Sequence, residues 1–250
     1  MEQISLGQYS LVYNAFSFVL AAMGATTIFL FLNRSQVSSK YKAVVTISGL
    51  VTMIATYHYY RIFNSWDEAY AVLNGVVSVT GHQFNDTYRY VDWLLTVPLL
   101  VTELIFVMRL PGNEGAKKAT RLAFLAAIMV ILGYPGEVSN VASTRWLWWC
   151  LSMIPFLIIQ FELFVGLKGA INAQPESVRG LVSSARYITV ITWLFYPIVF
   201  TLPMLGLSGG SAIVGVQVGY SIADVLAKAA FGVFIYNIAV KKSQAELATA

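Results

Sequence analysis

Seven long apolar segments take up most of this 250-residue chain, and they restrict its possible folds more than any other feature. A helix that crosses a bilayer needs about 20 mostly apolar residues, and each segment is close to that length or longer. Only 11% of the residues are charged, whereas soluble domains average roughly 25%. The segments are residues 9–32, 41–63, 87–109, 120–138, 144–167, 181–205 and 212–240.

The simplest fold for this pattern is an all-α membrane protein built as a seven-transmembrane-helix bundle. No linker, composition shift or internal repeat divides the chain, so we expect a single domain over residues 1–250. The bases do not alternate with aromatic residues on a polar face, and no nucleic-acid partner is indicated. Cys150, the one cysteine, lies in an apolar run and is predicted to be a buried packing residue.

Basic residues indicate the orientation in the membrane. Most of the 16 lysines and arginines follow the first, third, fifth and seventh segments, and only Arg61 and Arg145 fall on the other side. The positive-inside rule then places the C-terminus in the cytoplasm and the N-terminus outside. The expected location is the plasma or inner membrane of the cell.

The longest outer connection joins the second and third segments. It contains Asn74-Gly75 between short runs of alternating apolar residues, which is a strong signal for a two-residue hairpin turn. We expect a short β-hairpin over the outer face of the bundle, and an irregular loop is the alternative.

Several ionisable side chains lie inside the predicted spans. A charge within the bilayer costs about 2.5–3.5 kcal/mol on insertion scales, so each marks a candidate functional site. Glu162, near the inner end of span 5, is interpreted as structural because it can reach the interface. The others are His58, Arg89, Asp92, Glu103, Asp224 and Lys228.

Asp224 and Lys228 are four residues apart on span 7 and therefore share one helix face. One interpretation is a structural ion pair that allows both charges to be tolerated in the membrane. In the other, desolvated Lys228 forms a Schiff base with an aldehyde, and Asp224 serves as the counter-ion of the protonated nitrogen. The spacing alone leaves both open.

Span 3 adds Asp92 and, eleven residues further on, Glu103. Eleven residues are close to three helical turns, so both acids lie on similar faces about 16 Å apart along the axis. Spans 3 and 7 run in the same direction, which puts Asp92 and Asp224 on the outer side of Lys228 and Glu103 on its inner side. Neighbouring cations should keep Asp92 ionised, whereas burial without a base should keep Glu103 protonated.

Three motifs in the expected order, "RYVDWLLTVPLL" in span 3, "WLFYP" in span 6 and "DVLAK" in span 7, resemble those of the microbial rhodopsins. The resemblance covers all seven spans and is greatest to the xanthorhodopsin-like and proteorhodopsin-like outward proton pumps. It implies a light-driven ion transporter, not an enzyme, in which all-trans retinal is bound covalently to Lys228 as a protonated Schiff base.

The same resemblance implies roles in proton transfer for five residues: Asp92 as proton acceptor and counter-ion, Asp224 as second counter-ion, Arg89 as outer gate, Thr96 as hydroxyl partner near Asp92, and Glu103 as cytoplasmic proton donor. A chloride pump of this group would lack the carboxylate at position 92, and a typical sodium pump would have Asn, Asp and Gln at positions 92, 96 and 103. His58 resembles the histidine placed beside the acceptor, where the two would titrate together. A histidine satisfied by a backbone carbonyl is the alternative.

The resemblance also predicts the retinal pocket. Trp93, Trp193, Tyr196 and Pro197 would enclose the polyene, although such aromatics are otherwise ordinary core residues. Tyr220 would lie near the counter-ions. Leu100 stands at the position that tunes colour, and its apolar side chain implies green rather than blue absorption.

Two departures from related pumps stand out. Alignment on "SMIPF" places Trp149 where some xanthorhodopsins have a glycine that admits a carotenoid, so no antenna carotenoid of that type is expected. The connection "TLPMLGLSGGSAIVG" after span 6 has no acid, so early proton release by an outer glutamate pair is not expected.

Two other functions stay open from the sequence. A light sensor on the same fold is one, although such sensors often lack the inner donor that Glu103 would provide. A transporter or receptor without a chromophore is the other, with the Asp224–Lys228 pair only structural. A homo-oligomer, trimer or pentamer, is implied by the resemblance alone.

Overall fold

The structure, a computed structural model, describes residues 3–248 and has the predicted bundle of long helices joined by short connections. The helices are α1 (Leu6–Asn33), α2 (Lys42–Ala69), α3 (Tyr88–Met108), α4 (Glu114–Glu137), α5 (Ala142–Phe161), α6 (Lys168–Asn172), α7 (Glu176–Thr201), α8 (Gly209–Asp224) and α9 (Phe231–Ala248).

Two of the predicted spans are interrupted by wider, π-helical turns. Glu162–Gly166 joins α5 to α6, and Val225–Ala230 joins α8 to α9. Each pair continues as one rod, so the described residues form seven membrane-length rods. Short 3₁₀ turns follow α1 and α7, at Arg34–Gln36 and Leu202–Leu205. The predicted seven-helix fold is therefore confirmed.

Within residues 3–248, six of the seven rods are long and apolar enough to cross a membrane. The seventh, α2, matches α1 in length at 28 residues but does not meet the same hydropathy requirement. Threonines, tyrosines and His58 lower the hydropathy of α2. The helix nevertheless packs between α1 and α3 and is part of the bundle.

The predicted hairpin is also confirmed. Strands β1 (Tyr70–Leu73) and β2 (Val76–Val79) pair antiparallel, with Leu73 opposite Val76. Asn74 and Gly75 both have positive φ, 52° and 78°, as a two-residue turn of this type requires. Val77 is buried in a cluster with side chains of α1 and α2, which fixes the hairpin to one end of the bundle. This end is called outer below, after the orientation that the sequence predicts.

The prediction that Cys150 is buried is wrong, because the residue is exposed on α5. It shares its helix face with Leu147 and Ile154, whose side chains are 56% and 58% exposed. Large apolar side chains on this face indicate contact with lipid rather than with the protein core. An apolar run in a membrane protein therefore does not by itself show which face points inward.

Helix α3 is the most enclosed of the six apolar spans. In its most apolar stretch of 18 residues, 61% of the residues are buried, against 33% for α4. It lies between α2 and α4 and also touches α7 and α9. Charges on α3 consequently face protein rather than lipid. This position allows other buried polar groups, on α2 and on the seventh rod, to lie close to them.

Candidate functional site

Lys228 lies in the π-helical turn Val225–Ala230 with its side chain buried at the centre of the bundle. Its Nζ is 3.0 Å from Asp224 Oδ1 and also contacts Asp92 Oδ2 on α3. The predicted group of one lysine and two carboxylates is therefore assembled. One buried cation here faces two acids, so the two carboxylates compete for the same positive charge.

Asp224 is the better satisfied of the two acids. Tyr59 Oη donates to its Oδ2 at 2.7 Å, and Oδ1 accepts from Tyr196 Oη at 2.6 Å and Trp93 Nε1 at 3.2 Å. Hydrogen bonds to a carboxylate stabilise its negative charge. With three such donors in addition to Lys228, the surroundings of Asp224 favour its ionised form.

Asp92 has fewer partners. Lys228 contacts Oδ2, while Oδ1 has no hydrogen-bond partner among residues 3–248. Thr96 Oγ1 donates to the backbone carbonyl of Asp92 at 2.8 Å, so the predicted hydroxyl neighbour binds the main chain and not the carboxylate. Asp92 thus keeps one oxygen available to accept a proton.

His58 lies beside Asp92, as the resemblance implied, with Nδ1 3.8 Å from Oδ1. This distance is too long for a hydrogen bond. Nδ1 instead donates to the Ile54 carbonyl at 3.0 Å. The structure therefore combines the two alternatives left open by the sequence, because a backbone-bonded histidine stands next to the acid.

Glu103 is fully buried on α3, three turns from Asp92. The Ser48 hydroxyl, on α2, donates to Oε2, and Oε1 has no partner within residues 3–248. None of the described bases lies within 4.0 Å of this carboxyl group, whereas Asp92 and Asp224 both contact Lys228. The surroundings disfavour a negative charge on Glu103, since burial without a cation favours the neutral acid.

The outer end of the site is rich in charge. Arg89 is 2% exposed, its Nη1 is 3.7 Å from Asp86 Oδ2, and its guanidinium stands 5.5–5.7 Å from the rings of Phe16, Tyr59 and Tyr220. Further out, Arg145 pairs with Glu137 at 3.5 Å. These contacts place Arg89 between Asp224 and the outer surface of the bundle.

A cavity adjoins Lys228 on the side away from α2. The empty space there is about 760 Å³ when the open solvent at its mouth is included. The cavity brings together all eight residues predicted to hold the chromophore: Lys228, Trp93, Trp193, Tyr196, Pro197, Leu100, Trp149 and Tyr220. Mostly apolar walls with one amine fit a long polyene that carries an aldehyde.

Trp149 forms part of the cavity wall toward the outside of the bundle. Its Nε1 donates to the Pro197 carbonyl at 3.2 Å, and its ring meets Trp146 edge to face. These contacts hold the indole in place between α5 and α7. The side chain is only partly buried, so it separates the cavity from the bilayer.

Sequence reasoning missed two polar partners, Tyr59 and Ser48. Tyr59 is one of three tyrosines in "TYHYYRIF", and nothing in the sequence distinguishes it from its two exposed neighbours. Tyr220 is not among the donors to Asp224, because its ring packs against Trp93 and Tyr196 while its backbone carbonyl accepts from Tyr59 at 3.4 Å. The packing of α2 against α3 and α8 was the information needed to predict both partners.

The family model of bacteriorhodopsin-like proteins matches residues 12–242. This chain belongs to that family. The microbial rhodopsin is 34% identical over 230 residues to a green-light absorbing proteorhodopsin of Gamma-proteobacterium EBAC31A08, covering 92% of this chain and 86% of the relative. The predicted membership is confirmed.

Solved structures agree with this assignment. Xanthorhodopsin, a light-driven ion pump with dual chromophore, superposes with a TM-score of 0.94 at 52% identity and covers 98% of each chain. A thermophilic rhodopsin gives a TM-score of 0.94 at 40% identity, covering 98% of this chain and 99% of its own. Among residues 3–248 no group of three metal-ligating side chains forms a metal site. The roles of the individual site residues stay predictions.

Proposed function

We propose that this microbial rhodopsin is a light-driven outward proton pump with all-trans retinal bound covalently to Lys228. The observation that carries the proposal is the division of acids around the lysine. Asp92 and Asp224 contact its Nζ, while Glu103 is buried apart from it with a hydroxyl partner. A pump needs an acceptor and a donor on opposite sides of the proton carrier.

Retinal fits the apolar cavity and, when bound, supplies light absorption and an isomerisation that moves the nitrogen of Lys228 relative to its neighbours. Trp93, Trp193 and Tyr196 hold the polyene and exclude water from the nitrogen. Lys228 would hold retinal covalently through Nζ, with the aldehyde oxygen released as water, and the bonded nitrogen would then carry one transferable proton.

Asp92 is the proton acceptor and Asp224 the lasting counter-ion. Three donors already neutralise much of the negative charge on Asp224, whereas Asp92 Oδ1 has none. A proton leaving the nitrogen of Lys228 therefore gains more by binding Asp92. Thr96 fixes the local backbone, and His58 at 3.8 Å stabilises the ionised form of the acceptor whenever the imidazole is charged.

Glu103 is the donor that returns a proton to the nitrogen of Lys228 from the inner side. A neutral buried acid keeps its proton until an anion or a lone pair becomes available, and the Ser48 hydroxyl then stabilises the carboxylate that remains. Arg89 holds a positive charge between the acceptor and the outer surface, which hinders the return of protons from outside.

Two spectral proposals rest on the cavity walls. The rigid Trp149 indole fills the wall where an antenna carotenoid would enter, so retinal is the only chromophore. Leu100 is 2% exposed and lines the cavity, and its apolar side chain gives green absorption.

The chain works as one retinal-binding domain, residues 1–250, in the plasma or inner membrane. The N-terminus lies outside and the C-terminus in the cytoplasm, as the distribution of bases indicates. The pump assembles as a homo-oligomer, a trimer or a pentamer.

The direct test is to express the protein in cells with added retinal and to record external pH under illumination. We expect acidification that a protonophore abolishes. A coloured protein that leaves the pH unchanged would instead support a sensor, and a colourless protein would contradict both photoactive functions.

A further inference from the structure

A second cavity opens at the inner end of the bundle, between α6 and the first turns of α7. Its empty space is about 820 Å³, including its mouth. Three bases line it, Lys168, Arg179 and Arg186, together with the polar side chains of Asn172 and Ser183. We call this space the basic cavity.

None of these three bases has a carboxylate within 4.0 Å among residues 3–248. Glu162, a partly buried acid close to Lys168 in sequence, is already paired with Lys118 and lies 3.9 Å from Arg121. The basic cavity therefore holds uncompensated positive charge, which favours an anionic ligand.

Arg186 distinguishes this cavity from an ordinary cluster of exposed bases on the cytoplasmic side. Its side chain is 7% exposed, and it lies more than two turns inside α7. Nη1 donates to the Phe164 carbonyl at 3.2 Å, Nη2 is 3.5 Å from Ser183 Oγ, and Nε has no partner among the described residues. Orientation in the membrane needs only exposed bases, so it does not explain a buried, incompletely bonded guanidinium.

The rim of the basic cavity faces the bilayer. Phe164 and Tyr187 are 49% and 43% exposed, and their rings meet edge to face at 6.0 Å. Half-exposed aromatic rings are typical of the membrane–water interface. An anion bound here therefore lies beside apolar surface, as a headgroup joined to acyl chains does.

We propose that the basic cavity binds the phosphate of an anionic phospholipid, with Arg186 as its buried partner and Lys168 and Arg179 as its exposed partners. A guanidinium presents paired donors that match phosphate oxygens. Only the assignment to the inner leaflet rests on the orientation given under the proposed function. Binding itself does not depend on proton transport.

The test uses the full-length, retinal-bound protein in nanodiscs of equal parts phosphatidylglycerol and phosphatidylcholine, followed by native mass spectrometry of the retained lipid in the dark. We expect phosphatidylglycerol to be retained preferentially. Arg179→Gln and Arg186→Gln should each weaken its retention roughly fivefold. Arg34→Gln is the matched control, since Arg34 is an exposed arginine on the same side of the bundle and outside the cavity.

Equal retention in all four proteins would overturn the proposal, as would an equal loss in Arg34→Gln. If Arg186→Gln loses its colour and is misfolded, the exposed Arg179→Gln still decides. A further arm titrates inorganic phosphate onto the protein in pure phosphatidylcholine nanodiscs. Phosphate binding that Arg179→Gln removes, without retention of phosphatidylglycerol, would show a free-anion site and reject a lipid ligand.

Discussion

On the outer side of Lys228, Asp92 and Asp224 contact the lysine, and Arg89 lies beyond them; on the inner side, Glu103 has only the Ser48 hydroxyl. All three acids are equally buried, at 1% exposure or less. What differs is the partner, a cation outside and a neutral hydroxyl inside. Burial therefore does not distinguish the three acids in this bundle, whereas the charge of the nearest partner does.

The largest effect should come from removing the lysine that divides the two sides. In Lys228→Ala we expect no covalently bound retinal, no visible colour and no light-driven acidification, because no other described amine lines the cavity. Absorption spectra after adding retinal, with denaturation to test for a covalent bond, check this. Retinal bound covalently to the variant would show that Lys228 is not the attachment site, and the two sides could then no longer be defined by this lysine.

The outer side is tested next by Asp92→Asn, which keeps the shape of the acceptor but removes its charge. Proton transfer from the lysine nitrogen should slow by about 10²-fold or more, which is the usual worth of a positioned acid or base. The colour should shift to longer wavelength, since the cation loses a counter-ion. Flash spectroscopy measures both. Normal turnover in this variant would show that Asp92 is not the proton acceptor and would point to Asp224 instead.

The inner side is tested by Glu103→Gln. We expect reprotonation of the lysine nitrogen to slow by about 10²-fold, with colour nearly unchanged, because a neutral acid is replaced by a neutral amide. Glu162→Gln is the control, since this acid at the inner end is already paired with Lys118. A strong colour shift without slower turnover would show that the roles of the two acids on α3 are wrongly assigned.

The smallest effect concerns a single hydrogen bond on the outer side. Tyr59→Phe removes one of three donors to Asp224, which should destabilise the dark protein by about 1.5–3 kcal/mol. The midpoint of thermal bleaching should fall accordingly. Tyr60→Phe, one residue away and 53% exposed, should leave it unchanged. Equal midpoints for both variants would show that Asp224 is stabilised without the Tyr59 hydroxyl.

Hydropathy predicted the seven rods, the Asn74-Gly75 turn signal predicted the hairpin, and the family resemblance predicted the lining of the cavity. Helix ends were less accurate where charged turns extend a helix beyond the membrane. For example, α4 begins at Glu114 rather than near 120, because Lys117 and Lys118 are helical although they are not apolar. Hydropathy does not report backbone hydrogen bonding in the aqueous turns.

Contacts between helices were beyond the reach of the sequence. The hydrogen bonds from Ser48 to Glu103 and from Tyr59 to Asp224 depend on the rotation of α2 about its axis. Helix α2 has several serines, threonines and tyrosines, and the sequence does not show which of them face the acids. The two π-helical turns were also not predicted. A π-helical turn differs from an α-helical one only in that each backbone hydrogen bond spans one more residue, and the amino-acid composition does not show this difference. The motifs predicted which residues form the site, and packing determined which partner each one meets.

The contrast between an ionised outer acid and a neutral inner acid is tested most directly by infrared difference spectroscopy of the carboxyl groups, in the dark and after a flash. We predict that the dark protein has a protonated carboxyl band that disappears in Glu103→Gln. Illumination should add a second band that is absent in Asp92→Asn. A dark band that survives Glu103→Gln and disappears in Asp92→Asn would contradict the account.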